Sequence, residues 1–559
     1  MKYMFSVKKN VLQTVALLKE YGINQIVISP GSRNAPLIQT FSSDSFFECH
    51  TVVDERNAGF YAIGIIQCAQ RPVAVCCTSG SALLNLAPAV SEAFYQQLPL
   101  IVVSADRSPE WIGQMDGQIL PQPNAFGSLS RKSVNLPEIK NDTDEWYCNR
   151  LINEALIACT ANICGPVHIN VPISEPLFDY SEENLPKVRK INYPTPVKTI
   201  DIIPFAKKWS NSKKRLIIIG QQPKNNEFVK TLELLAEKSD CIILNEHISN
   251  CINDNYISNF DALLYALEED KVADYKPDLV IYTGGHITSK RLKHFLRQNK
   301  PEVFWYISNA SDVVDTFQSL TNLVEMQPHN FFKNLSENIE EEKDKPFYNL
   351  WKSFSEKIAS PENNIPFSDL FVTGQFIKLL PENSKLHLAS SSTVRNAQLF
   401  DLKQSIEVYS NRGVNGIEST LPSVIGFASV YKGIVYLIIG DLSFFYGLNS
   451  LWNISHIKNL RILLVNNGGG GIFHLLPGLN KSSSLKEYVS AGHNTQAEKW
   501  IEASGLHYIS ASDKDELENG LSLLMNEEFG QSIIMEAHTD METSKNVFRE
   551  YYHKIKSAN

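Results

Sequence analysis

Short runs of β-branched and other apolar residues recur along this chain, and helical patterns lie between them. In the first third the apolar runs cover residues 25–29, 72–77, 100–105 and 167–171, and a helical stretch at 82–96 separates two of them. Strands that alternate with helices form a parallel sheet covered by helices on both faces. The pattern therefore predicts an α/β fold.

Two polar stretches divide this pattern into three segments. Residues 181–199 are rich in proline and charge, and residues 336–346 are mostly charged, which is typical of linkers. Further apolar runs lie between and after these stretches, at 215–223, 278–285, 385–390, 433–441, 461–467 and 532–537. Because 559 residues exceed what one core holds, we predict three doubly wound parallel-sheet domains with the bounds 1–185, 200–335 and 347–559.

The composition excludes several classes of protein. A net charge of -9 argues against broad nucleic-acid binding. The sequence lacks the run of about eighteen apolar residues that a membrane span requires. The N-terminus has helical spacing rather than the pattern of a secretion signal, which predicts a cytoplasmic protein. The nine cysteines show no paired metal-ligand spacing, so we expect buried reduced thiols, with Cys76 and Cys77 on opposite faces of one strand.

One pair of strand ends carries the residue types of a metal and phosphate site. Asp441 stands at the end of one apolar run and Asn467 at the end of the next. Ligands of a parallel sheet bind at the carboxyl ends of its strands, and a carboxylate, an amide oxygen and a loop carbonyl suit a hard cation such as Mg²⁺. The glycines of 468–471 would let the backbone approach a diphosphate. Taken alone, the pair could equally be two unrelated turns.

Three further strand ends carry polar residues. A strand predicted to end at Asp54–Glu55 leads into a helix whose dipole would stabilise the Glu55 carboxylate, and small residues at 58, 59, 62 and 64 would let that helix pack closely on a neighbour. The turns at 28–37 and 102–122 present two pairs of polar side chains, Ser32 with Arg33 and Arg107 with Gln118. On its own, Glu55 is more simply a first-turn acid, and the turn at 28–37 could be a surface turn with a solvated arginine.

Together these stretches resemble a known family. The pairs Gly-Asp at 440–441 and Asn-Asn at 466–467, with Glu55 in an N-terminal α/β segment, are similar to the signature of thiamine-diphosphate enzymes. The motifs SPGSRNAPL (29–37), DERNAGFYAIG (54–64), SADR (104–107) and NRGVNGIEST (411–420) narrow the resemblance to the 2-succinyl-5-enolpyruvyl-6-hydroxy-3-cyclohexene-1-carboxylate synthases of menaquinone biosynthesis. The resemblance covers nearly the whole chain in the same order.

The resemblance implies a pyrimidine-binding, a central and a diphosphate-binding domain, with thiamine diphosphate and Mg²⁺ or Mn²⁺ as cofactors. Glu55 would hydrogen-bond N1′ of the aminopyrimidine, so that the 4′-nitrogen of the cofactor can act as the base. Ile417 would hold the cofactor in its bent form. The other implied cofactor contacts are the metal ligands Asp441, Asn467 and the Gly469 carbonyl, and the side chains of Gln118, Leu442, Ser443, Ile472 and Phe473. The first turn of the middle segment is GQQP rather than G-x-G-x-x-G, so no flavin is expected.

The implied reaction is decarboxylation of 2-oxoglutarate and 1,4-addition of the succinyl carbanion equivalent to isochorismate. Both substrates carry two carboxylates, which favours capture by arginines. The implied substrate-binding residues are the cations Arg33, Arg107, Lys290, Arg291, Arg395 and Arg412, the hydroxyl residues Ser32 and Ser391, and an apolar wall of Ile472, Phe473 and Leu476. The family builds each active site between two subunits, which implies a homodimer, and possibly a tetramer, in which Glu55 and Asp441 of one site come from different chains.

Two residues depart from the family's pattern. Gly447 stands where an Asp is common in the signature, which puts the helix start beside the diphosphate in doubt, and Gly117 stands where an Asn often precedes Gln118.

The alternative functions are another thiamine-diphosphate carboligase such as an acetohydroxyacid synthase, a simple 2-oxo-acid decarboxylase, and a homologue that binds thiamine diphosphate without catalysis. The sequence lacks the adjacent His–His pair frequent in simple decarboxylases, its arginines favour dianionic substrates over pyruvate, and Glu55 argues against a non-catalytic homologue.

Overall fold

The structure is a computed structural model, and it describes residues 4–161, 163–194, 198–452 and 454–558. Three parallel sheets, each packed on both faces, follow one another along these residues. This confirms the predicted α/β class with three doubly wound sheets. The predicted first linker includes residues 195–197, and the predicted end domains include residues 1–3, 162, 453 and 559; these positions lie outside the described residues.

Six strands form the first sheet within residues 4–161 and 163–194: β1 (Gln25–Ile28), β2 (Glu48–Thr51), β3 (Val73–Cys77), β4 (Leu100–Asp106), β5 (Lys132–Asn135) and β6 (Val167–Pro172). Its helices are α1 (Lys9–Glu20), α2 (Ala35–Ser42), α3 (Glu55–Ala69), α4 (Ser81–Asn85), α5 (Ala87–Gln96) and α6 (Asp142–Thr160). The strands are parallel and lie in the order β2-β1-β3-β4-β6-β5. Cys76 and Cys77 belong to separate apolar clusters on the two faces of this sheet, as predicted.

The middle sheet has five parallel strands in residues 198–345: β7 (Arg215–Ile219), β8 (Cys241–Asn245), β9 (Leu279–Thr283), β10 (Val303–Ser308) and β11 (Asn322–Glu325). Its helices are α7 (Ile203–Asn211), α8 (Asn226–Lys238), α9 (Phe260–Ala266), α10 (Val272–Tyr275), α11 (Lys290–Gln298) and α12 (Pro328–Glu337). The strand order is β11-β10-β9-β7-β8. This order differs from that of the first sheet.

The third sheet lies within residues 346–452 and 454–558 and has the strands β12 (Lys385–Leu388), β13 (Glu407–Tyr409), β14 (Val435–Gly440), β15 (Leu460–Asn466), β16 (His507–Ala511) and β17 (Ile533–His538). Its helices are α13 (Pro346–Ser355), α14 (Asp369–Leu379), α15 (Ser392–Ala397), α16 (Thr420–Val430), α17 (Asp441–Tyr446), α18 (Glu498–Ala503), α19 (Lys514–Leu524) and α20 (Met541–Ala558). The strand order is β13-β12-β14-β15-β17-β16, which repeats the order of the first sheet. The two end sheets therefore share one topology.

Short turns of helix fill several connections. They are 3₁₀ turns at Pro109–Trp111, Gly127–Leu129, His247–Ser249, Glu269–Lys271, Leu448–Ser450, Gly471–Leu475 and Leu479–Lys481, and a π turn at Leu485–Val489. The predicted second linker, 336–346, contacts the middle domain. Glu342 pairs with Arg215 and accepts the Asp240 N–H at 2.7 Å. Trp351 of α13 and Tyr552 of α20 also join an apolar cluster of the middle sheet. The exact domain bounds stay a prediction.

Two local predictions differ from the structure. The helical stretch predicted at 82–96 is two helices, α4 and α5, because Pro88 lies in the first turn of α5, where its missing N–H removes no helical bond. The strand predicted to end at Asp54–Glu55 ends at Thr51. Asp54 instead caps α3, since its side chain accepts the Asn57 N–H at 3.2 Å.

Helix α3 crosses α16 of the third domain at very short range. A Cβ on Gly64 would lie 1.8 Å from the carbonyl oxygen of Ser423, and one on Gly426 would lie 2.0 Å from that of Tyr61. Gly59 packs in the same way on Ala89 of α5. The prediction that small residues let α3 pack closely on its neighbours is confirmed. This crossing joins the first and third domains of one chain.

The cysteines are all free thiols. Six are buried, whereas Cys49 is exposed and Cys68 and Cys164 are half-buried, so the expectation of buried thiols is wrong for these three. Among the described helices, none has both the length and the apolar character needed to cross a bilayer.

Candidate active site

Asp441, Asn467 and Gly469 lie together at one edge of the third sheet. Strands β14 and β15 are parallel neighbours, with Gly440 paired to Val465, so the residues that follow them emerge side by side. Asp441 opens α17 and is buried, with only 3% of its surface exposed. The Gly469 N–H donates to Asp441 Oδ2 at 2.8 Å. The structure thus brings the three predicted metal ligands to the same edge of the sheet.

The amide of Asn467 is oriented by Asp369, a residue that the sequence did not single out. Asn467 Nδ2 donates to Asp369 Oδ2 at 2.7 Å, and the other Asp369 oxygen accepts from Thr539 Oγ1 at 2.6 Å. A carboxylate only accepts hydrogen bonds, so the Asn467 carbonyl must face the other way. Burial raises the pKa of Asp369, and the bonds from Thr539 and Asn467 oppose that shift.

The side-chain oxygen of Asn467 shows whether the residues at this site fit a metal ion. Asn467 Oδ1 is buried and accepts no hydrogen bond from the described residues. A buried oxygen without a hydrogen bond is costly unless it binds a ligand. Among the described residues, no group of three or more His, Cys, Asp or Glu side chains could hold a metal. A cation here would depend on one carboxylate, one amide oxygen and one carbonyl, a donor set that suits Mg²⁺ or Mn²⁺. The residues present therefore fit such an ion.

The loop that follows Asn467 can be built only from glycine at two positions. Gly468 has φ +80° and Gly469 has φ +147°, and a Cβ on Gly469 would lie 2.6 Å from the Ser490 carbonyl oxygen. His493 lies beside the Asp441 carboxylate, with Nε2 3.4 Å from Asp441 Oδ2. Burial raises the pKa of Asp441, while hydrogen bonds from Gly469 and Leu442 and the charge of His493 oppose it. No motif in the sequence indicated His493.

Glu55 is the first residue of α3 and is half-buried. Its carboxylate accepts from Asn85 Nδ2 at 3.2 Å, and among the described residues this is its one side-chain hydrogen bond. The start of α3 is fixed by the third domain of the same chain, since Arg56 donates to the Tyr446 carbonyl at 2.9 Å and Asn449 donates to Asp54 at 3.0 Å. The structure therefore holds Glu55 firmly while leaving an oxygen for a ligand.

The two departures from the family's pattern have local explanations. Gly447 both ends α17 and precedes the 3₁₀ turn Leu448–Ser450, and its N–H donates to the Ser443 and Phe444 carbonyls. The start of α17 at Asp441, with Leu442 and Ser443 in its first turn, is formed without it. Gly117 lies in an exposed loop where a Cβ would meet no atom within 4 Å.

Arg395 and Arg412 are two cations for which the described residues show no ion pair. Arg412 is buried; its Nη1 donates weakly to Ser390 Oγ at 3.4 Å, and its Nε has no partner among the described residues. Arg395 donates to the Ser391 carbonyl of its own helix. Burial, and next the charge of Arg395, lower the pKa of Arg412 to about 10. The charges of Glu246 and Glu92 oppose this shift in part, and a guanidinium remains charged at neutral pH.

Three of the other predicted cations have partners among the described residues. Arg33 donates to the Ile173 carbonyl at 3.0 Å and pairs with Glu175 at 3.0 Å. Arg107 pairs with Asp116 at 2.7 Å. The third of them, Arg291, pairs with Asp261 and stacks on Tyr265 and Tyr552. The described residues of one chain show no contact that joins these three to Arg395 or Arg412, so their predicted roles stay predictions.

The remaining predicted residues lie at or near the surface. Ser32, Lys290 and Gln118 are exposed, and Leu476 and Ile417 are exposed by 38% and 36%. Ile472 and Phe473 are half-buried in the 3₁₀ turn Gly471–Leu475. Ser391 precedes α15 with φ +76°. Gln118 ends an exposed loop in which Met115 has no cover and Trp111 is 51% exposed.

Glu92 of α5, which the sequence did not indicate, holds the loop that carries Arg412. Its carboxylate accepts the N–H groups of Gly413 and Val414 at 2.7 Å each, and Gln96 Nε2 also donates to it. Glu92 is fully buried, and burial raises its pKa against the effect of these bonds. A residue of the first domain thereby sets the position of Arg412 in the third.

Family models match most of the chain. "Thiamine pyrophosphate enzyme, N-terminal TPP binding domain" matches residues 12–125, "Middle domain of thiamine pyrophosphate" matches residues 183–388, and "Thiamine pyrophosphate enzyme, C-terminal TPP binding domain" matches residues 389–534. The solved benzoylformate decarboxylase from Polynucleobacter necessarius superposes with a TM-score of 0.73 at 16% identity, over 96% of this chain and 99% of that one. At that identity the superposition supports the fold alone.

Curated relatives share much more sequence. The 2-succinyl-5-enolpyruvyl-6-hydroxy-3-cyclohexene-1-carboxylate synthase of Bacteroides thetaiotaomicron is 45% identical, over 99% of this chain and 100% of the relative. The synthases of the same name from Phocaeicola vulgatus and Flavobacterium psychrophilum are 45% and 38% identical, over 100% and 96% of both chains respectively. The chain is a thiamine-diphosphate enzyme and belongs to the 2-succinyl-5-enolpyruvyl-6-hydroxy-3-cyclohexene-1-carboxylate synthase family.

Proposed function

We propose that this chain decarboxylates 2-oxoglutarate and adds the resulting four-carbon unit to isochorismate, with the predicted residues in the roles given above. The observation that carries the choice of substrate is the pair Arg395 and Arg412. Both guanidinium groups are largely removed from water, and no described carboxylate lies within ion-pair distance of either. A buried cation without an ion-pair partner is costly, so a substrate carboxylate is the partner that this arrangement favours.

The cofactor and its metal would occupy the edge of the third sheet. Asp441, Asn467 Oδ1 and the Gly469 carbonyl would hold Mg²⁺ or Mn²⁺, and the glycine loop would let the backbone reach the diphosphate. Gln118, Leu442, Ser443, Ile472 and Phe473 would contact the cofactor, and Ile417 would support its bent shape. When bound, thiamine diphosphate would supply a nucleophilic carbon and a thiazolium ring that accepts the electron pair left when CO₂ departs.

Glu55 would act on one nitrogen of the cofactor. Its free carboxylate oxygen would bind the proton at N1′ of the pyrimidine, which favours the tautomer needed for proton removal. Arg33, Arg107, Lys290, Arg291, Ser32 and Ser391 would bind polar groups of the two substrates, and Ile472, Phe473 and Leu476 would form an apolar wall beside the ring substrate. These assignments draw support from their motif positions.

The active unit would be a homodimer, possibly paired into a tetramer. The loop that carries Gln118 projects Met115 and Trp111 away from its own chain, and exposed apolar side chains of this kind favour a contact with another protein surface. A second copy would cover this loop and bring Glu55 of one chain to Asp441 of the other. A cytoplasmic location stays a prediction.

The experiment that tests this function is release of CO₂ without isochorismate. With thiamine diphosphate and Mg²⁺ present, the enzyme should decarboxylate 2-oxoglutarate far faster than pyruvate, because pyruvate lacks the distal carboxylate. R395A and R412A should each lower kcat/KM for 2-oxoglutarate by about 30- to 5,000-fold, which corresponds to about 2–5 kcal/mol for a truncated buried charge pair. Equal use of pyruvate by the wild-type enzyme would favour an acetohydroxyacid synthase activity instead.

A further inference from the structure

The loop of residues 107–122 holds Gln118 in a backbone conformation that a glutamine seldom adopts. Gln118 has φ +57°, which lies in the left-handed region that favours glycine. Its side chain is exposed. A residue in this region persists only where the surrounding structure fixes it. The contacts to its backbone therefore determine where the Gln118 side chain is directed.

One of these contacts comes from Gly80, the residue that precedes α4. Gly80 has φ +80°, and a Cβ on it would lie 3.2 Å from both the carbonyl carbon and the carbonyl oxygen of Gln118. The backbones of the two residues therefore pack directly against each other. A displacement of Gly80 would displace Gln118 with it.

Gln122 fixes Gly80 from the interior of the first domain. Its side chain is fully buried, and its Oε1 accepts the Gly80 N–H at 2.8 Å. Its Nε2 donates to Asn170 Oδ1 at 2.8 Å and to the Ala105 carbonyl at 3.1 Å. Because the oxygen and the nitrogen of this amide both have partners, its orientation is determined.

The same buried network holds the other end of the loop. Asn170 Nδ2 donates to Asp106 Oδ2 at 2.8 Å, and Asp106 Oδ1 accepts the Arg107 N–H at 2.8 Å. The Arg107 side chain then donates from Nε to the Gly117 carbonyl at 3.1 Å. The loop is therefore fixed at both ends and immediately before Gln118.

We propose that Gln122 is a positioning residue for thiamine diphosphate, which acts through Gly80 and the backbone of Gln118 to direct the Gln118 side chain at the cofactor. This rests on the proposed function, which places Gln118 at the cofactor. A fully buried Gln122 does not touch the cofactor itself. An amide suits this role because it offers an acceptor to Gly80 and a donor to Asn170 at the same time.

The test is a double-mutant cycle on the dissociation constant for thiamine diphosphate, measured by isothermal titration calorimetry of the whole enzyme with Mg²⁺. Q122M keeps the length of the side chain and removes its polar atoms, and Q118A removes the group through which Gln122 acts. Each change should raise the dissociation constant by about 10-fold. The variant with both changes should also show a rise of about 10-fold, because both changes disable one contact.

Two further variants complete the design. Urea unfolding shows whether Q122M is folded; if it is not, G80A replaces it in the cycle, since the added Cβ displaces Gln118 and leaves Gln122 unchanged. Q298M changes an exposed glutamine at the end of α11 and should match the wild type in every assay.

The outcomes separate this inference from the proposed function. A rise of about 100-fold in the variant with both changes, the product of the single effects, would show that Gln122 acts independently of Gln118, and the inference would be wrong. A Q122M protein that is less stable but binds the cofactor as the wild type does would show a structural role alone. If Q118A leaves the dissociation constant unchanged, the inference fails together with the role of Gln118. The substrate assignment is tested separately, by CO₂ release from 2-oxoglutarate with the wild-type enzyme.

Discussion

Replacing Glu92 with Gln tests the link between the first domain and the loop that carries Arg412. The carboxylate accepts two backbone N–H groups at 2.7 Å in a fully buried position. The amide of Gln keeps one acceptor but turns an NH₂ group toward the second N–H. Loss of a hydrogen bond to a charged group costs about 1.5–3 kcal/mol, and a buried unpaired donor costs about 1–3 kcal/mol.

Part of this loss is offset by the removal of a buried charge. Because burial raises the pKa of Glu92, the folded protein binds a proton there more readily than the unfolded chain does. Ionisation of Glu92 therefore costs stability as the pH rises above the ordinary range of a glutamate, and a neutral amide avoids that cost. We expect a net destabilisation of about 2–4 kcal/mol near pH 7.

The assay is urea unfolding of wild-type and E92Q protein, followed by CO₂ release from 2-oxoglutarate. KM for 2-oxoglutarate should rise in E92Q because the Gly413–Val414 backbone no longer holds Arg412 in place. E20Q, which changes an exposed glutamate at the end of α1, should behave as the wild type. An unfolding free energy of E92Q within about 0.5 kcal/mol of the wild type, the usual range for surface changes, would refute this account of Glu92.

Three further changes test other contacts. E55Q should keep thiamine-diphosphate binding and slow proton exchange at C2 of the cofactor by about 10²–10⁴-fold; exchange at the wild-type rate would remove Glu55 from this role. D441A should lose cofactor affinity and regain part of its activity in excess Mg²⁺, whereas unchanged affinity would mean that Asp441 is not a ligand. G64A should destabilise the protein by about 1–3 kcal/mol or more through overpacking, while G530A, where a Cβ meets nothing within 4 Å, should not; equal thermal stability of the two variants would contradict the close helix crossing.

The sequence predicted the features that depend on local order along the chain. Strand ends followed by Asp441 and Asn467 could be paired because consecutive parallel strands place their carboxyl ends at one edge. The small residues of α3 likewise indicated a close helix contact. Periodicity is weaker for short strands at sheet edges such as β5 and β13, which were missed. Pro88 divides a stretch whose apolar pattern alone predicts one continuous helix.

Contacts between distant parts of the chain could not be predicted. Glu92 lies 321 positions from Gly413, and Asp369 lies 98 positions from Asn467. Neither acid differs in sequence from an ordinary helix residue, and only the tertiary packing assigns it a partner.

The most direct test of the central claim is the complete reaction. Holoenzyme with thiamine diphosphate and Mg²⁺ is incubated with 2-oxoglutarate and isochorismate, and the products are analysed by mass spectrometry. We expect a product whose mass equals that of isochorismate plus 2-oxoglutarate less CO₂, formed in step with CO₂ release. CO₂ release without this product, or an equivalent adduct formed as readily from pyruvate, would contradict the account.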